Sequence, residues 1–118
     1  MHDEAFWQLL TTLVETSTIN IDRPRGSAHP RYPDVIYPLD YGYLSGTISG
    51  DGDGIDAWLG SQSERRISAI LITVDLTKRD SEIKFLIGCT TQEQQAILTF
   101  HNRWANQSAI MVERPADI

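Results

Sequence analysis

Apolar residues recur at helical spacing near the start of the chain. Phe6, Leu9, Leu10, Leu13 and Val14 fall at i, i+3, i+4, i+7 and i+8 and predict a helix over 3–17, with Asp3 as its N-cap. The period shortens at Ile19 and Ile21, which alternate with polar neighbours and predict a short strand. Strand character is strongest over 66–75, where Ile67, Ala69, Leu71 and Thr73 share one face and Ile70, Ile72 and Val74 the other. Apolar residues on both faces predict a central or barrel strand. Residues 76–81 read as a turn, and 82–87 alternate again with Ile83, Phe85 and Ile87 inward. Thr91-Gln92-Glu93-Gln94 has the form of a capping box opening a helix over 92–103, and a last strand is expected at 109–113.

Between these elements lie two punctuated stretches. Residues 24–38 hold four of the five prolines, which remove donors and bias their predecessors toward extended backbone, so this stretch is expected to cross the surface without helix. Residues 42–60 hold six of the eight glycines and contain a tight loop that leads into a short strand at 55–59. The order α-β-(loop)-β-β-β-α-β predicts an α+β fold, a mainly antiparallel sheet or small β-barrel flanked by an N-terminal helix and a helix in the C-terminal half. Without repeat or linker, residues 1–118 are expected to form one domain, the helix over 1–17 and the barrel with its second helix over 18–118.

Composition narrows the partners. With 10 Lys+Arg against 16 Asp+Glu, the formal net charge is −6, which argues against non-specific nucleic-acid binding. No run of about 20 apolar residues exists to cross a membrane as a helix. The acidic start Met1-His2-Asp3-Glu4 predicts no secretory leader, and the single cysteine, Cys89, suits a reducing cytoplasm.

Three segments carry candidate chemistry. Asp51-Gly52-Asp53-Gly54-Ile55-Asp56 packs three carboxylates into six residues. Such a cluster repels itself unless a hard divalent cation neutralises it through oxygen ligands; the alternative is a solvated Asp/Gly turn. Tyr37-Pro38-Leu39-Asp40-Tyr41-Gly42-Tyr43 offers phenols for packing or for donation to an anion. Asp75 and Asp80 bracket the turn between the two best strands, as a polar hairpin end or as further carboxylates at the rim of a barrel.

These segments, in this order, resemble the soluble Mg²⁺-dependent inorganic pyrophosphatases of family I, built on a small OB-like barrel. The family pattern runs Tyr-Pro-x-x-Tyr-Gly-aromatic, then Asp-x-Asp-Pro-hydrophobic-Asp, then Asp-(four residues)-Asp-x-Lys. The resemblance covers about Ile19 to Arg114, with Ile21-Asp22-Arg23-Pro24-Arg25-Gly26-Ser27 similar to the opening strand and turn. Gly54 replaces the family proline, and Glu82 stands in place of the family lysine, with Lys84 two residues on and on the same strand face. Asn102-Arg103 replaces Tyr-Lys, and the stretch from Arg31 to Tyr37 looks too short for the family hairpin that supplies an arginine.

The resemblance implies hydrolysis of inorganic pyrophosphate to two phosphates. It implies Mg²⁺, or alternatively Mn²⁺, on Asp51, Asp56, Asp75 and Asp80, with Asp22 in addition, and Asp53 as general base. Arg31, Lys84 and Arg103 are the cations for substrate and Tyr41 the hydroxyl donor, while Arg25 and His29 are alternatives for the hairpin arginine. His101 and His2 have no partner that the sequence names and are expected at the surface. Two alternatives stay open: a hydrolase of another diphosphate compound, and a non-catalytic metal- or phosphate-binding relative. A homo-oligomer is compatible with either.

Overall fold

The alternation that predicts strands also sorts their side chains onto two faces of one sheet. The computed structural model describes residues 2–118, with side chains from Asp3 onward. In chain order the elements are α1 (His2–Glu15), β1 (Ile19–Arg23), β2 (Asp40–Leu44), β3 (Ile55–Leu59), β4 (Ile67–Asp75), β5 (Asp80–Ile87), α2 (Thr91–His101) and β6 (Gln107–Glu113). The strands form one six-stranded sheet in the order β1-β2-β3-β5-β4-β6. Neighbours are antiparallel except β3 and β5, which run parallel through Ala57–Phe85, Trp58–Leu86 and Leu59–Ile87. The fold is α+β, as expected, and β4 is an interior strand, flanked by β5 and the edge strand β6. The sheet is not closed: β1 and β6 remain its two edges.

Leu44, Ala57, Ile70, Phe85 and Ile87 project to one face, under Trp7, Leu10 and Val14 of α1. Trp58, Ala69, Leu71 and Leu86 project to the other, under Ile97 and Phe100 of α2 and under Val35, Tyr37 and Leu39. The stripe that α1 buries differs from the expected one. Trp7 belongs to it, whereas Leu9 is 68% exposed and Phe6 and Leu13 also face outward. An indole offers more apolar area than a leucine, so Trp7 decides how the helix rolls. Asp3 lies inside the first turn instead of capping it, where its charge still suits the helix dipole. α2 is capped by Thr90, one residue earlier than expected: the Thr90 hydroxyl accepts from Glu93 N–H at 3.2 Å, and the Glu93 carboxylate accepts from Thr90 N–H at 2.8 Å. Ile83, expected inward, is 47% exposed because its strand runs beyond the cover of α1.

No strand is expected from sequence at 40–44, since Pro38 and Gly42 disguise it. Gly42 is what permits it: a Cβ there would lie 1.7 Å from the carbonyl oxygen of Asn20 on β1. The proline-rich stretch also folds back on itself. Gly26 N–H donates to Tyr37 O at 2.9 Å, Tyr37 N–H to Ser27 O at 2.9 Å, and His29 N–H to Val35 O at 2.8 Å. A short irregular hairpin therefore exists where the sequence looks too short for one. Pro30 and Pro33 sit at its tip, where the ladder needs no donor, and Arg31 and Tyr32 lie between them.

Gly42→Ala is expected to lose at least about 3 kcal/mol, because backbone must move to admit the methyl group. Gly50→Ala, where a Cβ meets nothing within 4 Å, should stay within about 1 kcal/mol of the parent. Urea denaturation of the two variants measures both.

Candidate active site

Strand period two places Asp80, Glu82, Lys84 and Leu86 of β5 on one face. Leu86 is fully buried in the core under α2, while Asp80 and Glu82 open onto a cleft. Lys84 stands at the boundary and is only 8% exposed. Its ammonium donates to Tyr41 Oη at 2.7 Å, to Asp56 Oδ2 at 2.8 Å and to Glu82 Oε2 at 3.2 Å. Three N–H donors thus meet three acceptors, brought from β2, β3 and β5. Burial works against the charge on Lys84, but the oxygens of Tyr41 and Asp56 outweigh it, and the net pKa is raised. Burial likewise pushes the Tyr41 phenol above its ordinary range, so it stays protonated.

The cleft has a volume of about 550 Å³. Lys84, Glu82, Asp80 and Asp75 line its β-sheet side, Arg31 and Tyr32 the hairpin tip, and His101 and Trp104 the side of α2. Asp75 is buried and already engaged: Oδ1 accepts from Lys78 N–H at 3.1 Å and Oδ2 from Gln107 Nε2 at 3.0 Å. It ties the β4–β5 turn to β6. In the glycine loop, Asp51 Oδ1 accepts from Asp53 N–H at 3.0 Å and from the Ser49 hydroxyl. The Ser49 and Asp53 donors hold the Asp51 carboxyl below the usual range, and it also interacts with the carboxyl of Glu82.

Of the residues expected at a site, Arg31, Tyr41, Asp75, Asp80, Lys84 and His29 line this cleft. Asp56 joins it through Lys84, and Asp51 through Glu82. Asp53 is exposed on the same loop, outside the cleft lining. Asp22 and Arg25 are exposed, the Arg25 N–H donating to Asp40 at 2.8 Å. Arg103 is not brought to the cleft. Its guanidinium lies 5.5 Å from the Phe100 ring centre and 5.9 Å from that of Trp104, beside a shallow hollow with Ile36 and Pro38.

His101 is the main surprise. It is buried, and its Nε2 accepts from Trp58 Nε1 at 3.1 Å. An indole can only donate, so the proton of the neutral imidazole sits on Nδ1. Burial, and then the charge of Lys84, depress its pKa to about 3. The signal was present in the helix period: His101 follows Ile97 by four residues and so shares the buried face of α2. The side chain of His2 lies outside the described residues. Glu82, Lys78, Tyr32 and Trp104 are further cleft residues absent from the expected set. Glu82 was legible from its place between Asp80 and Lys84.

The oxygen donors of Asp51, Asp56 and Glu82 have the chemistry a hard divalent cation needs, with Asp51 interacting with Glu82 and with Asp56 and Glu82 sharing the Lys84 ammonium. Asp75 does not fit, because both its oxygens are engaged. Among the described residues, no three His, Cys, Asp or Glu side chains converge as a finished metal cage.

No family model and no curated protein matches the chain. Solved structures do. An inorganic pyrophosphatase from Neisseria gonorrhoeae superposes with a TM-score of 0.62 at 17% identity, over 83% of this chain and 81% of that one. This chain has the inorganic pyrophosphatase fold. A structure described as an inorganic phosphatase from Anaplasma phagocytophilum gives a TM-score of 0.56 at 16% identity, covering 80% of this chain and 81% of its own. The inorganic pyrophosphatase of Helicobacter pylori gives 0.54 at 15% identity, covering 82% of each chain. No helix among the described residues is long and apolar enough to cross a membrane.

Lys84→Met should destabilise the fold by about 2–4 kcal/mol in urea, because Asp56 and Glu82 would lose their shared cation. His101 gives a separate pH signature. Its folded pKa lies below the unfolded value of 6.5, so its contribution is complete above pH 6.5 and is lost as pH falls toward about 3. Between pH 6 and pH 5 the parent should lose about 1 kcal/mol per pH unit that the His101→Gln variant keeps, as read from paired urea titrations.

Proposed function

We propose that the chain hydrolyses a phosphoanhydride, with inorganic pyrophosphate as the simplest substrate, in the cleft beside β5. The observation that carries this reading is the Lys84–Tyr41–Asp56–Glu82 cluster at the floor of a cleft on a pyrophosphatase-like fold. A bare carboxylate pocket repels a polyanion. Here Arg31 and Lys78 add positive charge at the mouth, and Lys84 offsets part of the charge of Asp56 and Glu82 at the floor.

Arg31, at the hairpin tip, suits bidentate contact with phosphate oxygens, and Lys78 and Lys84 act as compact charges. The Tyr41 oxygen accepts from Lys84, and its O–H, which interacts with the Asp56 carboxyl, is the proposed donor to a phosphate oxygen. His101 offers a neutral Nδ1–H on the same side. Asp53 is the proposed base for the attacking water. A divalent cation, Mg²⁺ or Mn²⁺, held by Asp51, Asp56 and Glu82 with Asp80 adjacent, would supply counter-charge and make water a stronger acid there. These fixed charges favour the charge that develops on the transferring group and on the leaving phosphate. Arg103 and Asp22 have no part in this assignment. The proposed setting is the cytoplasm, where the free, buried thiol of Cys89 stays reduced.

The test is phosphate release from pyrophosphate with and without Mg²⁺, together with the melting temperature. Mg²⁺ should raise the melting temperature by mass action and be required for turnover. Asp53→Asn should lower kcat about 100-fold or more with the melting temperature unchanged. A folded chain that releases no phosphate from pyrophosphate or any other diphosphate overturns the hydrolase reading in favour of a binding module.

A further inference from the structure

The cleft is built for more than phosphate. Its volume of about 550 Å³ falls in the range of sites that enclose organic ligands, far above what a pyrophosphate ion fills. Its mouth is aromatic. The rings of His29 and Tyr32 lie 5.2 Å apart, those of Tyr32 and Trp104 5.8 Å, and those of His29 and Trp104 6.2 Å. All three line the cleft.

Two of the three rings are anchored on the core, His29 parallel to Tyr37 at 6.1 Å and Trp104 edge-on to Phe100 at 6.1 Å, while Tyr32 meets rings only in His29 and Trp104 among the described residues. Tyr32 is 51% exposed, and Trp104 and His29 are only partly covered. Below them Tyr37, Trp58 and Phe100 pack in tilted and edge-to-face pairs, Tyr37–Phe100 at 5.1 Å and Trp58–Phe100 at 5.3 Å. Pyrophosphate has no apolar or π surface, so it can use the O–H of Tyr32 or the N–H of Trp104 but not the faces of their rings. A planar ring joined to the diphosphate can.

The charges are placed to match. Arg31 adjoins Tyr32 in the hairpin tip, and Lys78 approaches from the β4–β5 turn. His29 feels both, since its pKa is lowered by partial burial and then by the charges of Arg23, Arg31 and Lys78. Rings and cations therefore meet at one mouth, and Lys84 waits at the floor.

We infer that the substrate is a nucleoside diphosphate group, free or esterified at its far phosphate, whose base stacks at Tyr32, His29 and Trp104 while the diphosphate reaches Arg31, Lys78 and Lys84. This rests on the hydrolase reading above. For a free nucleoside diphosphate, the water oxygen bonds to the terminal phosphorus, and the bond from that phosphorus to the bridging oxygen breaks. The electron pair stays on the bridging oxygen, giving a nucleoside monophosphate and phosphate. One water proton remains on the phosphate and the other is released. For the esterified group the same anhydride bond breaks, giving a nucleoside monophosphate and a phosphate monoester, with the water oxygen on the attacked phosphorus and both water protons released.

The experiment compares pyrophosphate, ADP and ADP-glucose by calorimetric titration and by turnover with Mg²⁺, in the full chain and in Tyr32→Ala and Tyr32→Phe. ADP or ADP-glucose should bind at least about tenfold more tightly than pyrophosphate. Tyr32→Ala should weaken the nucleotide about tenfold and leave pyrophosphate unchanged, and Tyr32→Phe should restore nucleotide binding. Which of the two nucleotides binds better separates a free from an esterified far phosphate. Turnover of pyrophosphate with no preference for either nucleotide, or an equal loss on all three compounds in Tyr32→Ala, overturns this inference and leaves the hydrolase reading standing. Absence of binding and turnover with every compound overturns both.

Discussion

A lysine ammonium held at the border of an apolar core is the constraint on which the rest of this molecule turns. Lys84 is on the same strand face as Leu86, which is fully buried, and as Glu82, which opens onto the cleft. A charge at that depth is tolerated only with near-complete hydrogen bonding, so Tyr41 and Asp56 must arrive from two other strands. That requirement fixes the relative register of β2, β3 and β5. It also means that the cation at the floor of the cleft is built into the fold.

The two cores serve this arrangement differently. The α1 side is a plain apolar seal, with no charged side chain in its cluster. The α2 side is aromatic and partly polar: Trp58 donates to His101, and the stack of Tyr37, Tyr41 and Trp58 runs from the core to the edge of the cleft. Cleft-facing groups are thereby carried on rigid rings and strands, with only the hairpin tip and the acidic loop supplied by irregular backbone.

Much of the fold was legible because its strands and helices obey clean periods. β4, β5 and α2 stand where alternation and helical spacing put them, within a residue or two at their ends. β2 was not, because the glycine that permits it looks like a strand breaker until the close approach of Asn20 is known. The face of α1 was misjudged since a leucine-rich stripe competes with one anchored by a single indole. At the site, the carboxylates and Lys84 could be picked from the order of motifs. What the sequence could not carry was pairing across distance: that Asp75 spends its oxygens on Lys78 and Gln107, that Arg103 lies over aromatic rings, and that His101 faces an indole donor.

The parallel contact of β3 with β5 has a consequence for how the molecule comes together. The sheet is two three-stranded antiparallel halves, the meander β1-β2-β3 and the set β5-β4-β6, joined along a seam of only three residue pairs. The β4–β5 hairpin closes locally, whereas Ala57 meets Phe85 only after looping across about thirty residues. Asp56 lies on one half and Lys84 and Glu82 on the other, so the ion pair bridges the seam itself. Either half formed alone carries strands without a site. Hydrogen exchange that is faster at Ala57–Leu59 than along the β4–β5 hairpin would mark the seam as the place where the two halves part.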